Sequence, residues 1–160
     1  MWQLLQYYGF VIPDNPDDVY LLRPIADWDL SLLESALGGV TLGGAGRLSK
    51  MERAMMLDTP PVVTRDGIDP AVRQAIRALT SDDEEWAASG ESVGNFAAVV
   101  SEESERKVDL CVKIMLQAEL KGFKTTIRED EETIGKGGGG IQVRFRLEKK
   151  KLLAKAISAL

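Results

Sequence analysis

Three groups of residues have types and spacings that could do chemistry: the single cysteine Cys111, the carboxylate run Asp82-Asp83-Glu84-Glu85, and the glycine-rich stretch GGVTLGGAG over residues 38–46. A cysteine becomes a nucleophile when a neighbouring base or cation stabilises its thiolate. The chain contains no histidine, so the usual activating partner is missing. With it go the common general base, the Ser-His-Asp triad and nearly every zinc site. Four adjacent carboxylates invite a cation, but acids in the first turn of a helix also complement its dipole, and that reading suits 82–85. The glycine stretch invites a phosphate. It lacks a Gly-Lys-Ser/Thr ending, and Gly44-Ala45-Gly46 lacks the third glycine of a dinucleotide loop, so it reads as a connection between helices. No catalytic residue and no metal ligand follows from these groups.

The elements that would hold them are mostly helical. Residues 2–8 read as the last turns of a helix stopped at Gly9, and PDNPDD (13–18) as a turn-rich boundary. VYLL (19–22) suits a short strand or an extended entry. Asp27 reads as the cap of a helix with Leu30, Leu33 and Leu37 on one face. Ser49 caps a short helix through Met51, Met55 and Met56, a cluster suited to core filling. PPVVTRDG (60–67) reads as a strand and turn. Asp69-Pro70 opens a helix with Val72, Ile76 and Leu79 as its buried stripe. Ser81 with Glu84 forms a capping box for the next helix. A long helix over about 101–121 carries Val108, Cys111, Met115 and Ala118 on one face, which makes Cys111 a small core residue. Gly122 ends it. Thr126 with Glu129 opens a further helix through Ile134. GKGGGG (135–140) reads as a flexible spacer reaching on the order of 13 Å. The last helix starts near 141 and presents Phe145, Leu152, Leu153, Ala156, Ile157 and Leu160. Its other face carries Arg144, Arg146, Lys149, Lys150, Lys151 and Lys155, the pattern of a solvated basic face. The expected fold is mainly α, a bundle-like helical domain with one or two short strands.

Composition agrees with a packed globular domain: 44% of the 160 residues are hydrophobic and 28% charged. A chain of this length buries roughly 70% of its unfolded surface without disulfides or metal, and one cysteine allows no disulfide framework. No apolar run reaches the about 18 residues of a membrane span. The net charge of −5 is unevenly spread. Residues 81–120 carry ten acids and three bases, whereas residues 121–160 carry ten bases and five acids. Such a balance disfavours nucleic acid but lets the basic end face an acidic partner.

In their order along the chain these pieces resemble the end of a known family of enzymes. LLQYYGFVIPDNP resembles the end of the SET domain in Rubisco large-subunit methyltransferase-like enzymes, where an apolar helix runs into Tyr-Gly-Phe and a Pro/Asn turn. VVTRDGIDPAVRQAIRAL, TTIREDEETI and VRFRLEKKKLLAKAI are similar to three blocks of the helical substrate-binding domain that follows SET there. The family has Ser-Asn-Ala where this sequence has Met1-Trp2, and its catalytic tyrosine and Asn-His motif lie upstream of that point. The resemblance implies a SET remnant over 1–18 and a helical substrate-binding domain over 19–160. It implies that Trp2, Leu5 and Phe10 pack inside a SET domain, and that Tyr8, Gly9 and Phe10 touch S-adenosylmethionine in the intact enzyme, packing at the domain junction being their alternative role. It further implies no cofactor for this chain alone, and a protein substrate, the Rubisco large subunit or another folded protein. The compartment stays open between chloroplast, cytoplasm and nucleus. A free-standing helical interaction module without methyltransferase activity is the competing expectation.

Overall fold

The computed structural model describes residues 12–15, 17–24, 27–42 and 61–160. Within them the chain is mainly α, as its periodicity predicts, with six α-helices and a small antiparallel three-stranded sheet. The strands are β1 (Tyr20–Leu21), β2 (Val62–Thr64) and β3 (Gly67–Ile68), paired in the order β1-β2-β3. One strand more is present than the sequence predicts. The extra strand is the two-residue return after the Arg65-Asp66 turn, too short to show a period of two, and it opens on Gly67 at a φ of 127° that a side chain would resist.

The helices are α1 (Leu30–Ala36), α2 (Pro70–Thr80), α3 (Asp83–Ala88), α4 (Glu102–Lys121), α5 (Ile127–Gly135) and α6 (Ile141–Ser158). Asp69 caps α2 by accepting the Ala71 amide at 2.9 Å, with Pro70 at the first helical position. Thr126 and Glu129 form the expected capping box of α5. Two caps differ from expectation. The α1 cap is Asp29, which accepts from the Ser31 and Leu32 amides, while Asp27 sits in the preceding turn with its own amide bonded to the Pro24 carbonyl. The α3 box pairs Asp82 with Glu85, not Ser81 with Glu84. Ser81 is held back as the extended C-cap of α2, its hydroxyl donating to the Ala78 carbonyl at 2.9 Å.

The described glycines after α1 and α5 form helix stops. After α5, the Gly137 amide bonds to the Ile134 carbonyl and the Gly138 amide to the Thr133 carbonyl, with Gly137 at a φ of 75°. That is the paired-bond C-terminal stop that only a left-handed residue can make. The expected flexible spacer is thus a hydrogen-bonded turn. Gly38 and Gly39 close α1 by the same bond pattern, to Ser35 and Glu34, so the described part of the 38–46 stretch begins as a helix cap.

The chain forms two compact units. The central unit comprises Leu21–Val62 and Ile68–Met115. Its hydrophobic cluster joins Ala75, Ala78 and Leu79 of α2 to Trp86 of α3 and to Val93 and Phe96 of a short 3-10 turn, with Trp28 packed against it. The Trp86 and Phe96 rings stack with centroids 5.8 Å apart, a separation typical of favourable aromatic pairs. Val108, Cys111 and Val112 of α4 are fully buried. The terminal unit comprises the segment ending at Tyr20, Val63–Gly67 and Leu116–Leu160. Here α5 packs on α6, which buries Leu147, Leu152, Leu153 and Ala156. Tyr20 packs its ring on Phe123 and donates its hydroxyl to Glu119 at 3.0 Å.

The helix expected through Met51, Met55 and Met56, and the apolar opening with Trp2, Leu5, Tyr8, Gly9 and Phe10, lie outside the described residues.

Candidate docking surfaces

Two regions stand out by charge in the sequence: the acid-rich span 81–120, which holds the start of the long helix, and the basic face of the last helix. That helix start and that basic face belong to different units, and the structure treats them differently.

In the central unit, α2 ends where α3 begins, and both abut the start of α4. Because Asp82 and Glu85 must face each other's amides to close the capping box, the first turn of α3 sets its carboxylates beside the end of α2. The result is an open cleft of about 610 Å3, lined among others by Val40, Thr80, Asp82, Asp83, Glu85 and Glu103. Lys107 is the basic member among the described lining residues, and it pairs with Glu103 one turn earlier at 3.4 Å. Among the described lining residues, carboxylates therefore outnumber the lysine. The acids of 82–85 act as cap and first-turn charges, and among the described residues no group of three or more acidic or cysteine side chains is arranged to hold a metal ion.

Behind the cleft lies a polar anchor absent from the expected apolar stripe of α2. Arg77 is only 6% exposed. Its Nε and Nη2 grip the Glu105 carboxylate as a fork, the latter at 3.0 Å, while Nη1 donates to the Phe96 and Ala97 carbonyls, each at 3.2 Å. Arg73 reaches Glu105 and Asp109 from the turn before. The Arg77 hydrogen bond holds the Glu105 carboxyl below its usual range. This matches the planar, bidentate role for which arginine is suited and lysine is not.

Residues 97–100, Ala-Ala-Val-Val, follow from that anchor and are all exposed, Val99 at 62% and Val100 at 48%. Sequence reasoning missed both features. An arginine counts as polar on any helical wheel, and an Ala-Val run counts as core. The only available signal was the mismatch between that apolar run and the absence of helix or strand around it.

In the terminal unit, the expected solvated basic face of α6 is in part turned inward. Lys150 is completely buried. Its ammonium bonds to Asp130 Oδ2 at 2.6 Å, to Thr125 Oγ1 at 2.8 Å and to the Thr125 and Thr126 carbonyls, and lies 5.3 Å from the Phe123 ring centre. Asp130 is 1% exposed and also takes two bonds from Arg146. Those bonds, followed by Lys150 and Thr125, hold its carboxyl well below the ordinary aspartate range, and Asp130 in turn raises Arg146. Lys149 pairs with the buried Asp18 and with the Val19 carbonyl. Arg144, Lys151 and Lys155 remain exposed. The correction is geometric: Lys150 sits three residues from both Leu147 and Leu153, on the buried stripe, and its long stem delivers the charge to carbonyls at the start of α5.

Cys111 lies fully buried with no disulfide partner, and burial pushes its thiol up to about 11. A thiol held protonated in an apolar site is a packing group. Tyr8, Gly9 and Phe10, the residues implicated by resemblance in cofactor contact, lie outside the described residues. Among the described residues no helix is long and apolar enough to cross a membrane.

In comparison with known proteins, the family model described as Rubisco LSMT substrate-binding matches residues 41–153. No curated protein matches the chain.

Proposed function

The chain belongs to the Rubisco LSMT substrate-binding family, and from that membership we propose that it is the protein-docking part of a SET-type protein-lysine N-methyltransferase. The family match over 41–153 is the observation that carries the reading. A docking domain needs a stable helical frame and a surface with a few anchors in a polar rim, and the central unit supplies both. Its partner is a folded protein bearing the target lysine; the Rubisco large subunit is one candidate and another folded protein the alternative.

Methyl transfer itself needs the donor sulfonium in line with a neutral amine, in a channel that excludes water. That work belongs to a SET core joined to this domain. In the intact enzyme Tyr8, Gly9 and Phe10 lie at the S-adenosylmethionine site, and the 160-residue chain alone carries no cofactor. The docking domain contributes proximity: it holds the substrate protein so that binding energy far from the reacting nitrogen is spent on orientation.

The test has two arms. Calorimetric titration with S-adenosylmethionine should give no binding heat for the chain alone and saturable binding when it is joined to a SET core. An excess of the free chain should then inhibit methylation of the substrate protein by the joined enzyme, because both compete for the same docking surface. Cofactor binding by the free chain, or methylation untouched by its excess, sinks the reading in favour of a separate interaction module.

A further inference from the structure

We propose that the exposed Ala97–Val100 loop and the acidic cleft that begins at Ser101 form one docking surface, whose occupant is a protein segment combining apolar side chains with lysine or arginine. The inference rests on the protein-docking reading and gives it a location and a chemistry.

Four consecutive apolar residues, all exposed, are unusual for a soluble surface, where apolar side chains are normally scattered singly. The start of this run is also held in place. Arg77 donates to the carbonyls of Phe96 and Ala97, Glu105 fixes the Arg77 guanidinium, and Phe96 stacks on Trp86. A loop fastened in this way has its ordering entropy already spent before a partner arrives, which strengthens binding without added contact area. Val99 and Val100 follow two and three residues after that fastened point as exposed apolar side chains.

Charge selects among occupants. Ser101, bonded to Val100 in sequence, lines the cleft together with Asp82, Asp83, Glu85 and Glu103. Lys107 pairs with Glu103, so the described lining residues, four acids and one lysine, keep a net negative charge. An acidic segment would meet like charges, whereas a cationic one is drawn in and oriented. Val40, itself 46% exposed, gives the cleft an apolar wall that continues the chemistry of the loop. Apolar anchors beside a carboxylate-lined cleft fit a segment that alternates the two residue types.

The direct test is fluorescence anisotropy of a labelled alternating Lys-Leu dodecapeptide with the full chain, against Lys-Ser and Glu-Leu peptides of the same length. The Lys-Leu peptide should bind most tightly and lose affinity as salt rises. Val99→Ser/Val100→Ser should weaken it by about tenfold, the scale of losing two modest anchors, and Glu103→Gln should flatten its salt dependence. Both substitutions are at exposed positions, so the fold survives them. Equal binding of the Lys-Ser or Glu-Leu peptide, or no effect of the valine pair, overturns the proposal. So does a wild-type dimer in sedimentation that the valine pair dissolves, since the occupant would then be a second copy.

The methylation arm separates this inference from the reading beneath it. If the free chain inhibits methylation and the Val99→Ser/Val100→Ser chain inhibits equally, the docking surface is overturned and the methyltransferase reading stands. If the free chain does not inhibit, yet the Lys-Leu peptide binds in a valine-dependent way, the surface stands and the methyltransferase reading falls.

Discussion

The two units each bury a basic side chain, but they use it for different ends. In the central unit Arg77 spans a carboxylate and two loop carbonyls, so its charge ties an irregular segment to two helices. In the terminal unit Lys150 is wholly enclosed, and its bonds to Asp130 and to the carbonyls at the start of α5 fasten one helix to the next. The first arrangement serves presentation and leaves apolar residues outside. The second serves cohesion and encloses its charge within the helix pair. The difference teaches that a basic residue on a helix is not by default surface charge; its place relative to the apolar stripe decides.

The comparison can be broken most severely at Asp130. Asp130→Ala would strand the buried Lys150 ammonium and cost about 3–5 kcal/mol, the usual loss when one partner of an enclosed pair is removed, readable from urea denaturation midpoints. The same site gives the pH dependence. The folded carboxyl titrates below the unfolded value of about 3.9, so its stabilisation is complete above that pH and is lost as pH falls from about 4 toward the folded value. Asp130→Asn should flatten that acid limb of the stability curve; an unchanged limb would assign it to other carboxylates.

Arg77→Met comes next, at about 2 kcal/mol, because Glu105 keeps Arg73 and partial access to water while two carbonyls lose a donor. Amide exchange should quicken at residues 96–100 and stay unchanged in α5 and α6. Uniform quickening would mean that Arg77 supports the whole fold and not the loop. Gly137→Ala should cost about 1–2 kcal/mol by forcing a β-carbon into the left-handed stop of α5, measured as a lowered melting temperature. The smallest effect belongs to Arg128→Ala on the exposed side of α5. Its bond to Glu132 at 2.8 Å is a surface pair one turn apart, worth about 0.3–0.5 kcal/mol. A loss rivalling that at Asp130 would erase the distinction between enclosed and exposed charge.

Where the sequence was legible, a single local rule decided the outcome. Asp69-Pro70 and Thr126 with Glu129 name their own helix starts, and the helices beginning at 70, 102, 127 and 141 fall within a residue of expectation. Where two residues could obey the same rule, the choice depended on something distant. Ser81 and Asp82 both precede an acid by three, and packing of the α2 end reserves Ser81 for the Ala78 carbonyl. Asp27 and Asp29 compete likewise, and the turn bonded to Pro24 takes the former. The candidate surfaces were half legible. Acid enrichment pointed to the start of α4, but the inward turn of Arg77, Arg146 and Lys150 depends on carbonyls and carboxylates contributed from elsewhere in the fold. No periodicity of apolar residues encodes those partners.

Enclosure of Lys150 also makes it a clock. An acylating reagent in solution can reach the ammonium groups of exposed lysines such as Lys151 and Lys155 at any moment, but Lys150 only while α5 has lifted from α6. The delay in its labelling, read peptide by peptide in a mass spectrometer, would report how often that helix pair opens in the native protein.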